Sequence, residues 1–209
     1  MTELPALITA LTTMFIIIDP PGLAPVFIAL TQGMSPAERR AIAVRACAVS
    51  AVLMIVFLFL GEAVLGFIGI SMDAFRIAGG ILLFLTALDM LFQKRQARRE
   101  ESAATGQAEH EDDPSVFPLA LPLIVGPGAI TTIILLAGQA DGAADFGAIA
   151  GVLMTVLLIV LLAFLAAPSI EQALGKTGLN IVTRVLGMLL AALAVQFVLD
   201  GLRGFGIGG

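Results

Sequence analysis

Apolar residues run along this chain in long blocks separated by short polar stretches. They do not alternate as the strands of a membrane barrel would. A membrane-spanning helix needs about 20 mainly apolar residues. Six blocks qualify, at residues 4–30, 42–65, 74–92, 116–137, 146–167 and 181–202. The second, third, fifth and sixth are rich in Leu, Ile, Val and Ala and predict continuous helices. The first and fourth carry interruptions. The predicted fold is therefore an all-α integral membrane protein of six transmembrane helices, with no room for a separate soluble domain.

Composition agrees with that pattern. Of 209 residues, 59% are apolar and 13% charged, about half the roughly 25% charge of soluble domains. Mean hydropathy is +1.04. Cys47 is the one cysteine and His110 the one histidine. That leaves no Cys/His cluster for a metal and no Ser-His pair within the membrane, so no metal, cofactor or enzyme is expected. Net charge is −5, and nucleic-acid binding is not expected without a basic surface.

The longest hydrophilic stretch, residues 93–114, begins basic and ends acidic around His110. It divides the chain into a first three-helix unit (1–92), a loop (93–114) and a second three-helix unit (115–209). Lys and Arg set the orientation. Arg39, Arg40, Arg45, Lys94, Arg95, Arg98, Arg99, Lys176 and Arg184 fall on one side, and only Arg76 and Arg203 on the other. The loop is then cytoplasmic and both termini are not. Met1-Thr2-Glu3 lacks the positive residues of a signal peptide.

The two units resemble each other. Glu62, Leu65-Gly66, Gly69-Ile70-Ser71, Arg76 and Gly79 align with Glu171, Leu174-Gly175, Gly178-Leu179-Asn180, Arg184 and Gly187, one residue being deleted before Arg184. Charged residues are rare here, so the Glu and Arg pairs carry the match. Three spans is an odd number, so the second copy enters the membrane from the opposite side. Two inverted three-helix repeats are a common plan of secondary transporters.

The interruptions occupy matching places. Asp19-Pro20-Pro21-Gly22 breaks the first span, and Gly126-Pro127-Gly128 the fourth, with Pro21-Gly22 aligned to Pro127-Gly128. Proline removes a backbone donor and clashes with the preceding turn, and glycine lets the chain turn. In hydrocarbon each unsatisfied backbone group costs several kcal/mol, so a break persists only where protein, water or ligand satisfies it. From Val116 to Gly126 is about 15 Å of helix, which places the break near the midplane of a core about 30 Å thick.

The second half-helices begin near Leu23-Ala24 and Ala129-Ile130. Their amides carry the positive end of the helix dipole and suit a carboxylate. The break's carbonyls and Asp19 suit an ammonium group. Thr131 and Thr132 add hydroxyls, and Thr12 and Thr13 precede the first break. Small residues leave room for a small zwitterion. Two packed proline kinks would leave the same marks; their matching positions favour a site. Asp19, a deep carboxylate, is a functional candidate by default and a candidate proton carrier. It is also a good helix cap. Arg76, Arg184, Glu62 and Glu171 are candidate gates or outer-shell groups, with interfacial pairing or snorkelling as the simpler role. Gln196 could bond another helix, and Gly79-Gly80 marks a close helix approach.

These residues resemble the MarC family of six-span bacterial membrane proteins. The resemblance rests on Asp19-Pro20-Pro21-Gly22-Leu23-Ala24-Pro25-Val26-Phe27, Ser35-Pro36-Ala37-Glu38-Arg39-Arg40, and Asp73-Ala74-Phe75-Arg76-Ile77-Ala78-Gly79-Gly80. In the second half it rests on Pro118-Leu119-Ala120, Gly126-Pro127-Gly128-Ala129-Ile130-Thr131-Thr132 and Gln196-Phe197-Val198-Leu199-Asp200-Gly201. The family's first break reads Asn-Pro or Asp-Pro. The resemblance implies an inner-membrane protein of a family that includes small neutral amino acid transporters acting on glycine and alanine with proton coupling, hence symport. Expected partners are the zwitterionic substrate, protons and membrane lipid, with a homodimer as the assembly considered. The competing functions are export of another small metabolite or antimicrobial, a channel-like or structural membrane protein, and an intramembrane protease using Asp19 and Asp89. The last lacks a second deep carboxylate, because Asp89 lies close to the cytoplasmic face.

Overall fold

A computed structural model describes residues 4–92 and 114–207. Its helices are α1 (Leu4–Ile18), α2 (Pro20–Leu30), α3 (Pro36–Ile68), α4 (Met72–Leu91), α5 (Ser115–Ile124), α6 (Pro127–Ala137), α7 (Ala143–Leu165) and α8 (Ala167–Gly204), with no strand among the described residues. Five stretches are long and apolar enough to cross a membrane: Leu4–Leu30, Pro36–Ile68, Met72–Leu91, Ala143–Leu165 and Thr177–Gly204. The pair α5 and α6, bent by 60°, brings the count to six if it crosses as one broken span. Apart from Pro114, the hydrophilic loop expected at 93–114 lies outside the described residues.

Local chemistry sets the boundaries. Ser35 and Glu38 form a capping box at the start of α3: Ser35 N donates to Glu38 Oε2 (2.7 Å), and Glu38 N to Ser35 Oγ (3.3 Å). Two orphan amides of the first turn are thereby satisfied. Pro36 follows at the first helical position, where proline's missing N–H is harmless. Ser71 caps α4, its Oγ accepting from Ala74 N at 3.2 Å. Between the fifth and sixth apolar blocks the chain is helical from Ala167 and breaks only at Gly175 (φ 60°).

The interrupted spans sit inside the bundle. In the most apolar window of Leu4–Leu30, 72% of residues are buried, against 22% for α3 and 39% for α7. Along α6, every residue from Thr131 to Ala137 is buried. The outer helices turn Val52, Phe59, Leu85, Leu158 and Val195 outward. Lipid tails are as apolar as leucine, so these exposed faces cost nothing in a bilayer, and helix association rests on close packing.

The closest packing joins α4 to α8. A Cβ on Gly80 would stand 2.7 Å from Val198 Cγ2 and 2.8 Å from the Ala194 carbonyl oxygen. One on Gly187 would stand 2.9 Å from Met90 Cβ and 3.2 Å from the Ala87 oxygen, and one on Gly201 2.6 Å from Ile77 Cγ1. Partner numbers fall along one helix as they rise along the other, so the pair is antiparallel.

A regular spacing connects contacts in the two parts of the chain. A single sequence spacing relates Pro20 to Pro127, Pro36 to Ala143, and Gly80 to Gly187. This spacing sets Gly80 against Gly187 and Pro20 against Pro127, where the sequence comparison set Gly79 and Pro21. It also relates Gly80's partner Ala194 to Gly187's partner Ala87. Element contacts exchange in the same way: α2 packs on α7 and α8, and α6 on α3 and α4.

Candidate functional site

At the first break, Asp19 adopts a left-handed backbone (φ 58°, ψ 63°) between α1 and α2. Only glycine, asparagine and aspartate adopt that conformation cheaply. Asp19 N still donates to Phe15 O (2.9 Å), and Leu23 N donates to Asp19 O (3.1 Å). Its side chain, fully buried, accepts from Gly22 N at 3.2 Å. Pro20 and Pro21 have no N–H, so this bond satisfies the first available amide of α2. The break is thus a capped junction, and Leu4–Leu30 remains a single candidate span.

The second break is built differently. Val125 (φ −92°, ψ 65°) and Gly126 (φ −86°, ψ 170°) separate α5 from α6, and no side chain caps α6. Before it, α5 is irregular. Phe117 and Leu121 are extended, each preceding a proline, Pro118 or Pro122, through a cis bond. Its hydrogen bonds skip five residues, from Leu119 N to Pro114 O (3.2 Å) and from Val125 N to Ala120 O (2.9 Å).

The two breaks meet. A Cβ on Gly128 would stand 3.3 Å from Ile17 Cγ2, in the last turn of α1, and 3.2 Å from Leu83 Cδ2. Glycine therefore lets the start of α6 approach both α1 and α4. Leu23, Ala24, Gly128 and Ala129 are buried, Pro21 and Ile130 are half-buried, and Pro127 is exposed. Thr131 turns its methyl group against Gly79. Thr132 is fully buried, and its hydroxyl has no hydrogen-bond partner. Such a group carries a desolvation cost and stands ready for a polar ligand. Of the two earlier threonines, Thr13 is buried and Thr12 exposed on the outer face of α1. Ser50 on α3, not singled out in the sequence, is a second buried hydroxyl without a partner. A serine inside an apolar run was its only signal.

The charged candidates stand apart from the breaks. Arg76 pairs with Asp73 on its own helix at 3.1 Å. Glu62 and Arg184 are exposed, and the Glu171 side chain lies outside the described part of the structure. Gln196 Nε2 donates to Asp200 Oδ1 one turn along α8 (2.8 Å), where the sequence suggested a bond to another helix. Arg203 also donates to Asp200, at 3.1 Å.

The MarC family integral membrane protein profile matches residues 4–205. The chain is 40% identical over 196 residues to a UPF0056 membrane protein of Archaeoglobus fulgidus, covering 91% of this chain and 89% of that one. It is 37% identical over 204 residues to one of Methanocaldococcus jannaschii, covering 97% and 98%. With the UPF0056 inner membrane protein YhgN of Escherichia coli it shares 34% over 197 residues, covering 94% and 96%. No solved structure matches the chain.

Proposed function

Because this chain belongs to the MarC family of integral membrane proteins, we propose that it is a secondary transporter of small neutral amino acids such as glycine and alanine, coupled to protons. The observation that carries this reading is the meeting of two helix breaks, Gly128 against Ile17, inside the bundle. Uncapped amides at the start of α6 suit the substrate carboxylate. The Asp19 carboxylate suits its ammonium group, and the Thr132 hydroxyl adds a polar contact. Leu83 and Ile17 packed close to Gly128 favour a substrate with a small side chain. The two halves are inverted copies that exchange roles at the two membrane faces, with both termini on the non-cytoplasmic side. Passage requires no covalent chemistry, so the protein acts as a carrier and not an enzyme.

The test is uptake of labelled glycine and alanine into proteoliposomes, with and without an inward proton gradient, for wild type and Asp19→Asn. The expected result is saturable wild-type uptake that the gradient enhances and the substitution abolishes. Uptake that survives in Asp19→Asn removes the proton-carrier role and leaves a capping residue. No uptake by folded wild type overturns the glycine and alanine assignment, and conductance in its place makes the protein a channel.

A further inference from the structure

Besides the unlike construction of their breaks, the two halves differ in how the inner helices meet the outer ones. Near one end of the bundle, Ile134 of α6 fills the notch left by Gly61 of α3. A Cβ at Gly61 would stand 2.9 Å from Ile134 Cδ1 and closer still to Cγ1. The spacing that relates Gly80 to Gly187 relates these two residues to Pro168 and Phe27. There no glycine makes a notch, and Phe27 is buried. Phe27 stacks on Phe164 instead, ring centroids 4.5 Å apart. Phe27, Ile28, Phe164 and Pro168 line a cavity of about 240 Å³ beside Arg39 and Arg40. Such a volume admits a small amino acid with room to spare.

Two causes in the sequence account for the difference. Gly61 leaves α3 continuous and makes the notch. Pro168 stands at the opposite place, where α7 stops at Leu165 and a new helix starts at Ala167, as proline inside a helix demands. The span containing α6 is also the one bent by 60°, whereas α1 and α2 continue as one span. Equivalent elements therefore occupy two arrangements, which is what a structure closed at one end and open at the other requires.

We infer that the Ile134–Gly61 contact is the closed gate on the non-cytoplasmic side, and that the cavity at Phe27, Ile28 and Pro168 is the substrate's passage on the cytoplasmic side. The inference rests on the transport reading above and names residues for its two gates. Closing one should open the other.

The test uses cysteine-free protein (Cys47→Ala) in oriented vesicles, labelled with a membrane-impermeant maleimide at Ile28→Cys or at Ile134→Cys. In the wild-type gate, Ile28→Cys is expected to react from the cytoplasmic side, and Ile134→Cys to react slowly. Gly61→Leu fills the notch and should prop the outer gate open. Labelling at Ile134→Cys should then rise about tenfold and labelling at Ile28→Cys fall by a similar factor. A folded Gly61→Leu protein that leaves the Ile28→Cys rate unchanged overturns the coupling. If Gly61→Leu does not fold, Gly61→Cys with Ile134→Cys serves instead. The Ile134 Cβ lies 3.3 Å from the site of the new Cβ, near the roughly 3.8 Å of a disulfide. Oxidation should stop uptake and reduction restore it; uptake through the oxidised protein overturns the gate. Labelling needs no substrate, so failure of glycine uptake in wild type counts against the substrate and not against the gate.

Discussion

Asp19 combines two properties that single substitutions separate. Its left-handed backbone and its bond to Gly22 N need a short polar side chain, while proton carriage needs a carboxyl group. Asp19→Asn keeps the shape and the cap, so its thermal unfolding in detergent should match wild type. Asp19→Ala loses the cap, worth about 1 kcal/mol, and places a Cβ in the left-handed region with no polar compensation, about 1–2 kcal/mol more. Equal melting of the Ala and Asn variants would refute this account of the junction. Thr132 works in the opposite sense. Its hydroxyl is buried and unpartnered, so Thr132→Val should leave the empty protein as stable or more stable by about 1 kcal/mol. If the hydroxyl contacts substrate, the same change raises KM for glycine. A melting loss without a KM change would assign Thr132 to packing alone.

At the scale of elements, the α4–α8 seam depends on glycines that admit a neighbour's backbone. Gly80→Val would drive a branched side chain into the Ala194 carbonyl, 2.8 Å from the new Cβ. Overpacking of that kind costs about 1–3 kcal/mol, and the loss should appear in thermal unfolding. Ala78→Val, on an exposed position of the same helix, is the control and should leave the melting temperature unchanged. The seam follows a spacing slightly different from the one the charged residues suggest in the sequence. Rare Glu and Arg residues anchor that alignment, and Glu62 and Arg184 are exposed, where one or two residues slip without consequence. The glycines stand where backbones touch, so they hold the structural register. Irregular α5 was legible only as a place of broken helix, because Pro118 and Pro122 forbid a regular ladder without dictating what replaces it.

For the whole molecule, the order of burial runs against simple hydropathy. The spans broken at Asp19 and Gly126 lie inside, and α3, α4, α7 and α8 turn apolar faces outward. Backbone left unpaired at a break must be covered by protein or ligand, so the breaks draw their spans to the centre. Orientation yields a direct prediction. In a Cys47→Ala background, Arg40→Cys should react with an impermeant maleimide only from the cytoplasmic side, and Gln139→Cys only from the other. Both residues are exposed in the structure. Reaction of the two from one face would overturn the six-span topology.

Six long apolar blocks, their approximate limits and both breaks were determined by the sequence alone. They depend on local properties: the length of an apolar block against a bilayer of fixed thickness, and the backbone restrictions of Pro and Gly. The packing of α4 on α8, the notch at Gly61 and the meeting of Gly128 with Ile17 were decided only by tertiary structure. Core-facing and lipid-facing residues are equally apolar in a membrane helix, so hydropathy carries no contrast between them. Which face turns inward is settled by shape, one methyl group at a time, and shape exists only once the helices are assembled.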